Sequence, residues 1–173
     1  MEIVDLYDKD KKLTNMQVSR GVKVPKGYYR LVVHMCIFNK EGKMLIQKRA
    51  PHKHWGNKWD ISVGGCVVAG ETSGEAATRE IKEEIGLDID LTNTRCNFTF
   101  TFEDGFDDIY LINVDDINLS SLILQESEVI DVAWATMDEI LTMIKNDEFI
   151  MYYESYIKLL FEFKSAIDMY NEN

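Results

Sequence analysis

The sequence has few prolines and no segment of low complexity. Pro25 and Pro51 are the two prolines in 173 residues, and neither a Ser/Gly-rich linker nor an internal repeat interrupts the chain. Boundaries between domains usually fall in such linkers. We therefore expect one continuous domain over residues 1–173, with an N-terminal hairpin extension (1–28) and a C-terminal helix (148–170).

Long apolar runs and positive charge are also scarce. No window of eighteen apolar residues is free of charge, and the N-terminus lacks a basic-then-apolar pattern, so we expect neither a membrane-spanning helix nor a secretory signal. Lys and Arg total 19 against 30 Asp and Glu, which gives a net charge of −11. Because binding to a nucleic-acid backbone requires clustered cations, we expect no nucleic-acid partner. Because no membrane-spanning helix is expected, we also expect no membrane partner.

The three cysteines, Cys36, Cys66 and Cys96, are spaced too far apart for a zinc site. Their odd number does not suggest a disulfide framework. Reduced thiols are typical of a reducing compartment, so the sequence predicts a cytoplasmic protein. A content of 46% hydrophobic residues is enough for a packed core and excludes wholesale disorder.

Hydrophobic periodicity predicts strands, then one helix, then more strands and two final helices. This order indicates an α/β (α+β) fold with helices on both faces of a mixed sheet. The predicted strands are Glu2–Tyr7, Leu13–Ser19, Tyr29–Phe38, Met44–Lys48, Trp59–Val63, Cys96–Phe102, Ile109–Val114 and Val129–Ala135, and the predicted helices are Thr72–Ile85, Met137–Lys145 and Glu148–Met169.

The central helix carries an unusual set of charges. A Thr-x-x-Glu capping box at Thr72 predicts its start and Gly86 its end. At about 100° per residue, Glu80, Glu83 and Glu84 share an arc of roughly 100°, where like charges repel. A divalent cation would explain the arc, because Mg²⁺ prefers carboxylate oxygens. An ordinary acidic surface helix is the alternative that the arc leaves open.

The spacing around this helix forms a longer motif. From Gly65 the chain reads Gly-x5-Glu-x7-Arg-Glu-Ile-Lys-Glu-Glu-Ile-Gly-Leu, ending at Leu87. It resembles the Nudix box, Gly-x5-Glu-x7-Arg-Glu-U-x-Glu-Glu-x-Gly-U with U apolar, at every fixed position. With background residue frequencies, a chance match is on the order of one in ten million for a chain of this size.

The resemblance implies a Nudix-type α/β/α sandwich with a central mixed sheet and the Nudix loop-helix. It also implies a pyrophosphohydrolase that depends on Mg²⁺ or Mn²⁺. Its substrate would be a nucleoside diphosphate linked to another moiety, or a similar small pyrophosphate compound. The residues that it implies are the metal ligands Glu80, Glu83, Glu84 and the carbonyl of Gly64, the catalytic residues Glu80, Arg79 and Glu83, and the structural residues Gly65, Glu71 and Gly86.

Residues outside the motif complete the predicted site. Lys48 and Arg49 end a predicted strand, where related enzymes often place cations against the substrate's phosphates. Family members often take a general base or an extra ligand from a later loop, while Glu80 is itself a candidate base. The later candidates are Glu103, Asp104, Asp107, Asp108, Glu126 and Glu128, and the candidates for stacking on a base or sugar are His52, His54, Trp55 and Trp59.

Two further features bear on partners and on alternative activities. The last predicted helix is apolar over more than one stripe, which leaves room for a homodimer interface.

The region before the motif resembles the isopentenyl-diphosphate isomerase branch of the superfamily, but Gly64 stands where those isomerases carry a cysteine, and Cys66 lies two residues away. A non-catalytic nucleotide-sensing module is a third reading, which the complete motif disfavours.

Overall fold

The computed structural model of this protein describes residues 2–115 and 117–166. The strands are β1 (Ile3–Tyr7), β2 (Leu13–Ser19), β3 (Arg30–Phe38), β4 (Met44–Arg49), β5 (Trp59–Ile61), β6 (Val63–Cys66), β7 (Phe98–Phe102), β8 (Gly105–Asn113) and β9 (Val129–Ala135), and the helices are α1 (Ser73–Ile85), α2 (Met137–Lys145) and α3 (Glu154–Phe163). None of the helices within the described ranges is long and apolar enough to cross a bilayer.

The strands form two sheets. β1 and β2 make a two-stranded sheet, and the others follow the order β5-β4-β3-β8-β7, with β6 also paired to β3 and β9 to β4. A mixed sheet with helices confirms the predicted α/β class. The chain divides into a first unit, Met1–Met35 with Val63–Tyr110, and a second unit, Cys36–Ser62 with Leu111–Asn173.

The N-terminal hairpin of the first unit is confirmed. β1 and β2 pair antiparallel, from Ile3 opposite Ser19 onward. The hairpin is joined to the rest of the unit at Tyr7, which exchanges backbone hydrogen bonds of 2.7 and 2.9 Å with Tyr29. The Lys11 ammonium forms an ion pair with the buried carboxylate of Asp108 on β8.

The rest of the first unit places α1 on β6. β6 runs antiparallel to β3, with Gly64 opposite His34 and Gly65 opposite Val33. The predicted helix is confirmed: the Thr72 capping box is formed, and Gly86 ends the helix in the left-handed conformation at φ 75°. The largest fully buried side chains of this unit are Leu6, Met35, Ile81, Ile85 and Ile109.

In the second unit β4 is the central strand. It pairs antiparallel with β5 and with β9, and Met44 lies opposite Phe38 at the end of β3. Helix α2 packs against α3. The fully buried large side chains here are Ile37, Phe38, Met44, Leu45, Ile46, Ile61 and Phe149.

The last helix and strand β8 differ from their predicted bounds by four residues or more, and the helix ends at Phe163 rather than Met169. The last helix begins at Glu154 rather than Glu148, because residues 148–150 form backbone hydrogen bonds with Trp59 instead. The Trp59 N–H donates to the Glu148 carbonyl, and the Ile150 N–H donates to the Trp59 carbonyl. The predicted part beyond residue 166 lies outside the described residues. Strand β8 begins at Gly105, four residues before the predicted Ile109, since a tight turn pairs Gly105 with Phe102.

Candidate active site

Two adjacent glycines on β6, Gly64 and Gly65, each lie in close contact with an ionisable side chain. A Cβ built on Gly65 would lie closer than 3.0 Å to the carboxylate of Glu80. A Cβ built on Gly64 would lie 2.5 Å from Cδ2 of His34. Successive residues of a strand face opposite sides, so the two glycines admit the carboxylate on one face and the imidazole on the other.

Substitution of Gly65 by alanine tests this close approach. The new methyl group needs the space that the buried Glu80 carboxylate occupies, so we expect Gly65→Ala to displace that carboxylate and to reduce turnover of the substrate about 100-fold or more. Steady-state kinetics on the purified variant measure the effect. Gly70→Ala is the comparison, because open space surrounds its Cβ position; its φ of 88°, unlike the φ of Gly65, is positive, so alanine there adds backbone strain without displacing a carboxylate. Wild-type turnover by Gly65→Ala would contradict the argument.

Arg79 is the centre of the carboxylate cluster. Its Nε and Nη2 donate to the two oxygens of Glu71 at 2.7 and 2.9 Å, and Nη2 also donates to the Cys66 carbonyl at 3.0 Å. Its Nη1 donates to Glu80 at 2.9 Å and to Glu83 at 3.1 Å. A guanidinium has five N–H donors, so Arg79 uses all of them within the cluster. The Glu71 carboxylate also accepts from the backbone of Val68 at 3.1 Å, which ties the loop to the helix.

The three glutamates differ in exposure. Glu80 and Glu84 are 7% and 5% exposed, whereas the Glu83 side chain is 49% exposed. Burial raises the pKa of the Glu80 carboxyl, and the adjacent Arg79 acts in the opposite direction. Among the residues that the structure describes, no three His, Cys, Asp or Glu side chains form a ready-made metal cage.

These residues nevertheless fit a hard divalent cation. Their donors are all carboxylate oxygens, the kind that Mg²⁺ prefers. Nη1 of Arg79 already places a positive group between Glu80 and Glu83, and the exposed Glu83 can turn without disturbing the core. Because Gly65 has no side chain, the Glu80 carboxylate can lie directly against the strand.

His34 is a neighbour of the glycine pair that the sequence pattern did not single out. Its Nδ1 lies 2.8 and 2.9 Å from the two carboxylate oxygens of Asp107 on β8, and its ring covers Gly64. The available signal was one histidine within an otherwise apolar strand, β3. Asp107 was predicted as a loop carboxylate, but it lies within a strand.

The other later carboxylates have their own partners. Asp104 pairs with Arg30 at 3.3 Å, and Glu128 with Lys53 at 2.5 Å. Burial acts to raise the pKa of Asp108, but hydrogen bonds from Lys11 and Thr99 bring the net shift below the ordinary value. Glu103 and Glu126 are exposed.

In the second unit, Arg49 is engaged in a buried network. Its Nη1 donates to Asp60 at 2.8 Å and its Nε to the His54 carbonyl at 3.0 Å. Asp60 is buried and also accepts from the hydroxyl of Tyr152 at 2.9 Å. The Lys48 ammonium lies 5.8 Å from the ring centroid of Trp59.

The predicted stacking residues occupy the loop between β4 and β5. His54 and Trp55 meet edge to face with ring centroids 4.8 Å apart, and Trp55 is 40% exposed. His52 is exposed, and Trp59 is half-buried in β5. His52, His54 and Trp55 are therefore all exposed, and the Lys58 ammonium lies 5.5 Å from the centroid of the Trp55 ring.

A mixed α/β fold with a carboxylate helix beside a glycine pair is the arrangement of a class of phosphoanhydride hydrolases. The NUDIX domain family model matches residues 28–154. Uncharacterized Nudix hydrolases of Listeria innocua and Listeria monocytogenes are 46% and 44% identical, each over 96% of this chain and 97% of the relative. The crystal structure of DR0079 from Deinococcus radiodurans has a TM-score of 0.72 at 26% identity, covering 92% of this chain and 97% of that one. This chain belongs to the Nudix family, and the predicted enzyme class, a Nudix pyrophosphohydrolase, is confirmed.

Proposed function

We propose that this protein is a divalent-metal-dependent hydrolase that cleaves a diphosphate linkage in a small molecule. The substrate would be a nucleoside diphosphate linked to another moiety or a similar pyrophosphate compound. The observation that carries the proposal is the Glu71–Arg79–Glu80–Glu83 cluster beside Gly65, where an arginine fixes two carboxylates of one helix edge.

The contacts of Arg79, Glu71, Glu80 and Glu83 support the roles proposed for them. Glu80, Glu83, Glu84 and the Gly64 carbonyl would hold Mg²⁺ or Mn²⁺, which when bound neutralises the diphosphate and activates the attacking water. Arg79 orients Glu80 and Glu83, and Glu71 holds Arg79 in place against the loop. Glu80 is the candidate general base, because its buried carboxylate lies directly against Gly65.

A screen of diphosphate compounds with Mg²⁺ or Mn²⁺ tests this function. Nucleotide sugars, ADP-ribose, nucleoside triphosphates and dinucleoside polyphosphates share the bond to be cleaved, and product masses identify which of them is consumed. We expect turnover that stops on addition of EDTA and returns with excess Mg²⁺ or Mn²⁺. Failure to consume any of these compounds would reject the proposal.

Lys48 and Arg49 stay predictions for substrate binding. Lys48 lies against Trp59 and forms no ion pair among the described residues, so its charge is not already matched by a carboxylate there. Arg49 is already paired with Asp60. We therefore expect Lys48→Ala to raise KM about three- to tenfold with little change in kcat. An unchanged KM would remove Lys48 from the site.

An isomerase-like activity is the alternative function, and the position of Cys66 makes it testable. Cys66 and Gly64 share a face of β6, since they are two residues apart on one strand. Burial raises the pKa of the Cys66 thiol and so opposes its ionisation. Isomer formation from isopentenyl diphosphate, abolished by Cys66→Ala, would favour the isomerase. Binding of nucleotides without any turnover would favour a sensing module.

We also propose a cytoplasmic location and a homodimer. The location follows from free thiols at Cys36, Cys66 and Cys96. The homodimer follows from apolar surface near the final helix, where Tyr153 and Met151 are exposed. Light scattering at micromolar concentration tests the dimer, and a monomeric mass would dismiss it.

A further inference from the structure

The N-terminal hairpin, β1 with β2, is attached to the loop of the Nudix box. The backbone N–H of Ala69 donates to the carbonyl of Ile3 at 2.8 Å, and that of Gly70 donates to the Asp5 carboxylate at 2.8 Å. Both acceptors lie outside residues 28–154, which the family model matches. The loop that precedes α1 is therefore held by a segment that the family motif does not include.

A cleft opens where the hairpin meets the helix. Its volume is about 360 Å³, which is enough for a small phosphate-bearing group. Two sides of it come from the hairpin and from the carboxylate helix. The lining residues are Glu2, Ile3, Val68, Ala69, Arg79 and Glu83.

Arg20 contacts one of these lining residues, Glu2. Its backbone N–H donates to the Glu2 carbonyl at 2.9 Å, and its Nη1 donates to the Glu2 carboxylate at 2.5 Å. The Arg20 side chain is 44% exposed, and among the residues that the structure describes its guanidinium donates to Glu2 only. Because a guanidinium has five donors, four N–H groups of Arg20 are left for another acceptor.

The neighbouring arginine cannot serve that purpose. All donors of Arg79 are used within the carboxylate cluster. An anionic substrate that approaches this acidic cluster needs a cation that still has free donors, and Arg20 has them.

We propose that the hairpin is one wall of the substrate site and that Arg20 binds a phosphate of the substrate. This inference rests on the proposed diphosphate substrate and adds a binding residue to it. A guanidinium can hold two phosphate oxygens at once. In the unliganded protein Glu2 holds Arg20 in place, and the substrate phosphate replaces Glu2 as its acceptor.

Binding of imidodiphosphate with Mg²⁺, measured by titration calorimetry, tests the role of Arg20. The P–N–P bridge of this probe resists hydrolysis, so affinity is measured without turnover. We expect Arg20→Ala to weaken binding about tenfold and Arg20→Lys about threefold, because lysine keeps the charge but loses the paired donors. Lys12→Ala is the control, since Lys12 is exposed near the turn of the same hairpin and its loss changes the net charge equally.

Glu2→Gln separates a binding role from a structural one. If Arg20 and Glu2 only stabilise the hairpin, both substitutions lower the melting temperature and weaken binding together. If Arg20 binds phosphate, Glu2→Gln frees it, and we expect about twofold tighter binding of imidodiphosphate.

Two results would overturn the inference: wild-type affinity in Arg20→Ala, or no imidodiphosphate binding by the wild-type protein. The turnover screen decides the proposed function separately. A wild-type protein that binds the probe but hydrolyses no diphosphate would reject the function and keep the role of Arg20. Turnover by the wild type together with undiminished binding by Arg20→Ala would reject that role only.

Discussion

Replacing Glu83 with glutamine is expected to lower kcat/KM for metal-dependent diphosphate hydrolysis by about 100-fold or more. The amide keeps the shape of the side chain but loses the negative charge that would bind Mg²⁺, and changes even outside a metal's ligand set cost 10- to 100-fold. The Glu83 side chain is half-exposed, so folding should be unaffected. Kinetics over a range of Mg²⁺ concentrations, with Mn²⁺ affinity measured without substrate, check the result.

Glu162→Gln is the matched control for this change. Glu162 is exposed on α3, so the variant loses the same charge at a surface position. It should retain wild-type kinetics and metal affinity. Glu84→Gln should also abolish turnover, although Glu84 is buried and its stability needs a separate check. Full activity of Glu83→Gln, with intact metal binding, would mean that the carboxylate edge does not hold the metal.

The largest expected loss of stability comes from Arg79→Ala. The substitution removes five hydrogen bonds and leaves the buried Glu80 carboxylate and the Cys66 carbonyl without these donors. Removing one partner of a largely buried ion pair costs about 3 kcal/mol in the free energy of unfolding. For a chain of this size that corresponds to a melting temperature about 6–12 °C lower. Calorimetry in EDTA measures the change without a contribution from bound metal.

Two control variants test whether the loss of stability is specific to the hydrogen bonds of Arg79. Arg79→Lys keeps the charge but has three donors and no planar fork, so we expect intermediate stability with most of the activity lost. Arg95→Ala removes an exposed arginine from the same unit and should change the melting temperature by less than about 2 °C. If Arg79→Ala were as stable as Arg95→Ala, the cluster would not be held together by Arg79.

Features that depend on neighbouring residues were predictable. The capping box at Thr72 and the glycine stop at Gly86 gave both ends of α1, because the residues that decide them lie within one helical turn. The carboxylate edge followed from the helical repeat in the same way. The last helix was predicted too long, since apolar periodicity does not reveal that the backbone near Phe149 pairs with Trp59.

Contacts between residues far apart in the chain were not predictable. The partners of Arg49 and His34 are Asp60 and Asp107, and local patterns do not indicate such pairs. The Asp5 carboxylate accepts a hydrogen bond from the backbone N–H of Gly70, which lies 65 residues further along the chain. Whether a cation still has donors for a ligand depends on its folded surroundings.

The sequence by itself determined the Nudix family, the class of chemistry and the carboxylates on α1, because a motif at fixed spacing on one helix is local information. Only the tertiary structure decided how these groups are used. It brings Glu80 against Gly65, commits every donor of Arg79 to the cluster, and leaves Arg20 with donors to spare next to Glu2, which lines the adjoining cleft. Packing between distant segments sets burial and hydrogen bonding, and these determine which charges can meet a substrate.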